Sequence, residues 1–270
     1  SKLNSSHQAT FVDVGANVGD TTNAILEALG KSKRGCASRY SDKFAVYSYE
    51  PNPETFDLLT TRFEKHPGLQ QLHLIKAGIY RSRGTSLLCH TGAGDPQALL
   101  LNKLARGRCA DKSSNVTLFT LDATFRAKPY IHLLNVDIGG YASDALFGGI
   151  SLLRSAQVKF ILFSYSDRTA EGFVLRRLTA RLLELRYLCF YVTEVALVPI
   201  SGSWWQKHYV VQLMKSVPNV FCGHVDDGDL FDVYLGYRTN NYTLSFALSH
   251  LKRSGLDNAL LPGGRSFDSA

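Results

Sequence analysis

The sequence predicts an α/β fold built on a mainly parallel central sheet with helices on both faces. Three observations carry that expectation. Short apolar β-type runs alternate with stretches of helical character, the first run ends in a glycine-containing loop, and Gly15, Glu50 and Asp137 all fall where strands are expected to end. Alternation of this kind implies βαβ units, and ligands of such sheets sit beyond the carboxyl ends of the strands, near the point where strand order reverses. A chain of 270 residues suits one large domain with a modest extension, read here as 1–225 followed by a C-terminal extension over 226–270.

The elements are read in chain order. Thr10 to Val14 is an apolar run ending in glycine, and a helix follows from Thr21 or Thr22 to Leu29 with Asp20 as its N-cap. Gly30 stops that helix, and a basic connection leads to a strand over Phe44 to Glu50. Pro51 and Pro53 set up a helix carrying Phe56, Leu58, Leu59 and Phe63, which His66-Pro67-Gly68 ends. Leu72 to Lys76 reads as the third strand. Thr91 to Pro96 is a loop, Gln97 to Leu104 a short helix, and Val116 to Thr120 an alternating, half-exposed strand. Ile131 to Ile138 is a buried strand, followed by Gly139-Gly140 and a helix over about Ser143 to Ser155. Val158 to Ser164 is a strand, Thr169 to Arg186 a long amphipathic helix, and Leu188 to Val195 a strand. The tail adds a strand over Tyr209 to Met214 and a helix around Tyr242 to Lys252.

Composition bounds the classes. Hydrophobic residues make up 45% of the chain, enough for a sizeable core. There is no apolar stretch of about 18 residues, so no membrane span is expected. Ser1 to Thr10 is polar and lacks a signal-peptide core, which leans the reading slightly to a cytoplasmic domain with a lumenal one as the alternative, while the missing initiator Met leaves room for an upstream segment. Cys36, Cys89, Cys109, Cys189 and Cys222 are scattered, odd in number and never spaced as CxxC, which argues against a zinc site and against a disulfide scaffold. Asn-x-Ser/Thr sequons stand at Asn4, Asn115 and Asn241. A net charge of +7 favours anionic partners at long range, although a solvated surface is the simpler explanation. A nucleic-acid partner would rest on that charge alone, because no basic–aromatic interleaving suited to stacked bases is present.

The first loop, Asp13-Val14-Gly15-Ala16-Asn17-Val18-Gly19-Asp20, carries the strongest chemical signal. Gly15 and Gly19 permit positive φ and a close approach of backbone to ligand, and Asp13 and Asn17 add polar groups that can orient the loop or meet a charged amino-acid moiety. Asn17 stands where a dinucleotide fingerprint places its middle glycine, the residue that lets the backbone approach a pyrophosphate. The loop therefore favours a nucleoside ligand without diphosphate. Glu50, at the end of the second strand, is placed to accept hydrogen bonds from both ribose hydroxyls.

Phe11 to Asp20, and Tyr47-Ser-Tyr-Glu-Pro-Asn-Pro53 with Phe56 and Leu59, resemble the FkbM-type methyltransferases. Further likeness lies in Thr120-Leu121-Asp122, Val136-Asp137 with Gly140, Leu146 to Gly149, Leu185 to Phe190, Leu197 to Ile200 and Trp204-Trp205, so it extends over roughly Thr10 to Cys222. The resemblance implies a class I methyltransferase (Rossmann-like) fold, S-adenosylmethionine as donor, and O-methylation of a sugar or other small-molecule hydroxyl. It implies that Gly15, Asn17 and Gly19 line the methionine end, that Glu50 binds the ribose, and that Asp122 and Asp137 lie near donor or acceptor; Asp13 and Asp122 are counted with the donor-binding residues.

The chain departs from the family where chemistry is expected. The family pattern K-I-D-x-E-G-x-E reads here Asn135-Val-Asp-Ile-Gly-Gly-Tyr-Ala142, keeping Asp137 and Gly140 but not the lysine or the two glutamates. A glutamate expected after the next strand is Ser164. Methylation of a hydroxyl needs alignment and a nearby base. Asp137 is the first choice; His132, Tyr141 and Asp144 are alternatives with ready structural explanations, a core histidine, a packing ring and a first-turn acid. His208 beside Trp204 and Trp205 suits a packed loop, and His224 with Asp226, Asp227 and Asp229 suits an acidic turn better than a metal site. Two functions follow: an active O-methyltransferase, or a catalytically impaired S-adenosylmethionine-binding or protein-interaction module.

Overall fold

The computed structural model describes residues 9–31, 44–66, 69–94, 99–101, 112–126, 130–165, 173–193, 196–206 and 219–236, and the chain divides into two compact units, Ser1–Val158 and Lys159–Ala270. The expected α/β class with a mainly parallel central sheet is the one found.

The first unit contains β1 (Ala9–Val14), α1 (Asp20–Lys31), β2 (Phe44–Tyr49), α2 (Pro53–Phe63), β3 (Leu72–Ile75), β4 (Gly78–Ile79), β5 (Gly84–His90), β6 (Leu99–Leu101), β7 (Lys112–Phe119), α3 (Leu121–Phe125), β8 (Ile131–Val136), α4 (Ala142–Phe147) and α5 (Ile150–Arg154). Its main sheet runs β3-β2-β1-β8 with every pairing parallel. Parallel strands covered on both faces need near-continuous apolar sequence, and β1 is buried at all but one of its six positions. Val46 of β2, Leu26 of α1, and Leu59 and Phe63 of α2 share one core cluster. Asn52 starts α2: its side chain accepts the Glu54 N–H and Pro53 occupies the first turn, where a missing N–H costs nothing.

Three departures from the sequence reading have physical causes. Residues 99–101, expected within a helix over Gln97 to Leu104, form β6, because Leu99 to Leu101 pair antiparallel with Leu87 to Cys89 of β5. Strand pairing overrides a local preference of three leucines. The four strands β4-β7-β5-β6 make a second sheet that the sequence did not suggest. The helix expected over about Ser143 to Ser155 is split at Gly148-Gly149. A Cβ on Gly148 would stand 2.3 Å from the Tyr80 carbonyl oxygen and one on Gly149 2.9 Å from two Leu121 side-chain carbons. The break lets neighbouring backbone approach and gives α5 its own start.

In the second unit β9 (Val158–Ser164, its first residue at the boundary), α6 (Phe173–Glu184), β10 (Tyr187–Val192), β11 (Leu197–Pro199), β12 (Asn219–His224) and α7 (Gly228–Gly236) are ordered in sequence. Here β12 is antiparallel to both β9 and β10, and β11 is antiparallel to β10. Leu188, Phe190, Leu197, Trp204, Leu230 and Tyr234 form its core. The expected strand Tyr209 to Met214, the helix around Tyr242 to Lys252, and His208 lie outside the described residues. The boundary expected near residue 225 falls inside this unit. No helix among the described residues is long and apolar enough to cross a membrane.

The cysteines require a correction. Cys189 and Cys222 form a disulfide, and Cys89 is disulfide-bonded as well. Sequence spacing concealed this, because residues 33 apart become direct cross-strand neighbours once β12 pairs with β10. Their Cα atoms are 4.1 Å apart. Closing a loop of that length stabilises the fold by about 4 kcal/mol through the unfolded chain. The Cys189→Ser/Cys222→Ser double variant should therefore show a clearly lower urea midpoint than the oxidised protein, and an unchanged midpoint would remove the disulfide from the stability account.

Candidate active site

The site is built from three neighbouring strand ends. Because β2, β1 and β8 are adjacent and parallel, their carboxyl ends bring Glu50, Gly15 and Asp137 to one edge. The chain turns off β1 under tight constraint. The N–H groups of Gly15 and Ala16 both donate to the Tyr49 carbonyl, at 2.9 and 3.0 Å, and the Asp137 N–H donates to the Val14 carbonyl at 2.8 Å. Gly15 (φ +84°) has a second reason to be glycine: a Cβ there would lie 2.0 Å from the Asp137 carbonyl oxygen. Gly19 (φ +94°) packs on α2, where a Cβ would meet Phe63 at 2.4 Å and Leu59 at 2.7 Å. Both glycines thus serve the loop's own packing, whatever else they admit.

Asn17 lies between them with φ +50°, a left-handed conformation that asparagine tolerates better than most residues. That conformation aims its backbone N–H at Glu50 Oε2, 2.9 Å away. Glu50 Oε1 accepts the Asn52 N–H at 2.8 Å. Each carboxylate oxygen keeps a further lone pair for a hydroxyl donor. Glu50 is only 7% exposed, and burial pushes its carboxyl up against the lowering pull of the two N–H donors. The Asn17 side chain donates weakly to the Gly94 carbonyl at 3.5 Å, while its Oδ1 is buried with no partner. An orphaned buried acceptor costs about 1–3 kcal/mol, and a donor group on a ligand would relieve that cost.

Asp13 is placed differently from the expectation that grouped it with ligand-lining residues. It is fully buried beneath the loop. Its Oδ2 accepts the Thr22 hydroxyl at 2.7 Å and its Oδ1 the Asn135 amide at 2.9 Å, and Thr22 also meets Ser48 at 2.8 Å. These partners occupy α1, β8 and β2, so the side chain joins the elements that shape the edge. Burial pushes the Asp13 carboxyl up from its ordinary 3.8, opposed by the hydrogen bonds of Thr22 and Asn135. Asp122 is also placed differently. Its carboxylate accepts the N–H groups of Ser151 and Leu152 at 3.0–3.1 Å, which makes it the cap of α5.

The alternative bases sort in the same way. His132 accepts the Thr10 N–H on Nδ1 at 3.2 Å and meets Phe11 and Tyr130 through its ring, near the amino end of β8 and away from Asp137. Asp144 pairs with Arg81 at 2.5 Å. Tyr141 precedes α4, with its ring edge toward Tyr80 at 6.3 Å. Asp137 itself is exposed at the strand end. In the second unit His224 is buried and accepts the Asp226 N–H, Asp226 pairs with Arg186, and Asp227 and Asp229 pair with Lys159. No metal-binding cluster occurs among the described residues.

Sequence reasoning missed one part of this edge. The Asn52 side chain donates to the Gly92 carbonyl at 3.0 Å, and the Gly94 N–H donates to Thr55 Oγ1 at 2.8 Å. The loop after β5 is thereby fastened to α2 beside Asn17. Its glycines were the available signal, but nothing in the sequence named their partners.

A parallel sheet with a left-handed loop after its first strand and an acid ending the next strand defines a Rossmann-like α/β fold. Residues 13–189 match the model of the methyltransferase FkbM domain, and the chain belongs to that family. No curated protein matches it. Among solved structures it is similar to methyltransferase FkbM from Methylobacillus flagellatus KT, with 12% identity, 80% of this chain and 43% of that one covered, and a TM-score of 0.48. It is also similar to precorrin-6y C5,15-methyltransferase from Geobacter metallireducens GS-15, with 10% identity, 80% and 82% covered, and a TM-score of 0.40. A third likeness is to Aeropyrum pernix fibrillarin in complex with natively bound S-adenosyl-L-methionine, with 11% identity, 82% and 68% covered, and a TM-score of 0.37. This chain thus spans less than half the length of the FkbM protein it matches.

Two predictions separate scaffold from ligand contacts. Asp122→Ala should cost about 1 kcal/mol of stability as a lost cap, while S-adenosylmethionine affinity by calorimetry stays unchanged; a selective loss of affinity would return Asp122 to the ligand. For Asp13, a raised folded pKa means that its contribution to stability is present below the ordinary 3.8 and lost as pH rises through the folded value. Asp13→Asn should therefore gain on the wild type as pH climbs above the ordinary carboxylate range in urea unfolding. A gap independent of pH would contradict the buried-charge account.

Proposed function

We propose that this chain binds S-adenosylmethionine at the Gly15–Gly19 loop and transfers its methyl group to a hydroxyl of a small acceptor, a sugar being the leading class. The observation that carries the reading is the joint placement of Glu50, Asn17 and Asp137 on one sheet edge. The residues present fit the donor: Glu50 has lone pairs for two ribose hydroxyls, and the unpartnered Asn17 Oδ1 suits the ammonium of the methionine moiety. No glycine stands where a diphosphate would need one.

When bound, the donor supplies an electrophilic methyl carbon. The protein's part is to align a hydroxyl with it and to receive the hydroxyl proton. Asp137 is the residue we assign to that second task, because its carboxylate is the exposed acid at the end of β8. The Arg81–Asp144 pair and the Tyr80 and Tyr141 rings follow β4 and β8, and they offer polar and aromatic groups to an acceptor carrying several hydroxyls.

The altered family positions weigh less than the sequence suggests. Asn135 is buried within the sheet and its amide is spent on Asp13. A change from lysine there alters the support of the loop rather than the reacting edge. Gly139 (φ +38°) and Gly140 (φ +86°) both take left-handed conformations, so a glutamate at 139 would be strained in this turn.

Glu50→Ala should lower donor affinity at least about tenfold, equivalent to 1.4 kcal/mol, because hydrogen bonds to a charged group are lost. Asp137→Ala should keep donor affinity but reduce kcat on an accepted hydroxyl compound by about 10²–10⁴. Donor binding without S-adenosylhomocysteine formation across a panel of sugars and small alcohols would replace the enzyme with a donor-binding module.

A further inference from the structure

We propose that Asn115 is a site of N-linked glycosylation. Asn115-Val116-Thr117 is a sequon with no proline at its centre. It lies within β7, and successive side chains of a strand point to opposite faces. Asn115 and Thr117 are both exposed, whereas Val116 and Leu118 are buried. Asn115 stands opposite Leu87, and Thr117 opposite Thr85, on β5. Thr85 is exposed too, so that end of the face is polar and open. Among the described residues neither Asn115 nor Thr117 has a side-chain hydrogen bond. A sugar on Asn115 Nδ2 would project from this face and break no packing.

A second, independent observation concerns the compartment. Disulfides form and persist in oxidising compartments and are rare in reducing ones. Cys189–Cys222 is such a bond, and Cys89, on the same strand as Leu87 and Thr85, is disulfide-bonded as well. Such bonds are what a chain folded in an oxidising compartment carries, and that is the setting the proposal requires.

The co-reactant is an oligosaccharide carried on a lipid diphosphate. Asn115 Nδ2 forms the new bond to the anomeric carbon and gives up one proton. The bond from that carbon to the diphosphate oxygen breaks, and the lipid diphosphate leaves with the electron pair. Addition to the growing chain, before β7 pairs with β5, meets no obstacle from the finished sheet.

The test uses the full-length protein isolated from its own cells. Cleavage after Lys112 and Arg126 releases the peptide Ser113–Arg126, whose one asparagine is Asn115. The peptide should carry a hexosamine-containing mass. Peptide N-glycosidase in heavy-oxygen water should convert that residue to labelled aspartate. In cells producing variants, Asn115→Gln and Thr117→Ala should each abolish the label at this peptide, and Thr117→Ser should retain it. Neither loss variant touches Glu50, Asn17 or Asp137, so donor affinity should be unchanged and reports correct folding. Recovery of Ser113–Arg126 from the wild-type protein entirely without sugar would overturn the proposal.

Discussion

The buried carboxylate of Asp13 is the constraint on which the candidate site depends. It is fully removed from water and holds partners on three other elements: Thr22 on α1, Asn135 on β8 and, through Thr22, Ser48 on β2. Burying a charge is costly unless it is paired or hydrogen-bonded, so each partner matters more than an ordinary surface contact. A partly satisfied network of this type is worse than an apolar core. The geometry is therefore all or nothing: with its donors in place, β2, β1 and β8 hold a fixed register, and their ends present Glu50, Gly15 and Asp137 together. The residue does its work beneath the site, without facing it.

The same logic explains why so little variation is open to the loop above. Gly15 is pressed against the Asp137 carbonyl and Gly19 against Phe63 and Leu59. Asn17 adopts a left-handed backbone and delivers its N–H to Glu50. One short segment thus reads out three neighbours at once, the strand on either side and the helix after β2. The sequence motif is a record of these contacts as much as of any ligand.

This accounts for what could be read in advance. The strands of the parallel sheet were legible because burial on both faces writes itself as near-continuous apolar sequence, interrupted in Val12 to Val14 and Leu133 to Val136 only by Asp13 and Asn135. Strand ends were legible because glycine, proline and acidic residues interrupt those runs at 15, 50–51 and 137. Partnership over long sequence distances was not. Nothing local marks Asn135 as the partner of Asp13, Asp122 as the cap of Ile150–Arg154, or Cys189 as the neighbour of Cys222. The error at Leu99 to Leu101 has the same origin, since three leucines carry no sign of the strand they will pair with. Asp13 and Asp122 were grouped with ligand-lining groups because a polar residue in a motif is ambiguous. Only its partners distinguish a scaffold from a contact.

That distinction bears most directly on catalysis. Read as a string, the segment Asn135 to Ala142 lacks three charged groups that the family pattern carries. In three dimensions its positions have separate duties: 135 faces the Asp13 network, 139 and 140 make a left-handed turn, and 137 ends the strand in the open. The asparagine at 135 is also the better partner for Asp13 in one respect. A neutral amide donates to a buried carboxyl whether or not that carboxyl is ionised, whereas a lysine would bring a second charge into the sheet that must itself be neutralised. With burial already raising the Asp13 carboxyl, the neutral donor is the one that leaves no uncompensated charge in the sheet when that carboxyl is protonated. Loss of the lysine is thus consistent with a retained fold, and under the proposed function turnover rests on Asp137 and the groups that follow β4 and β8.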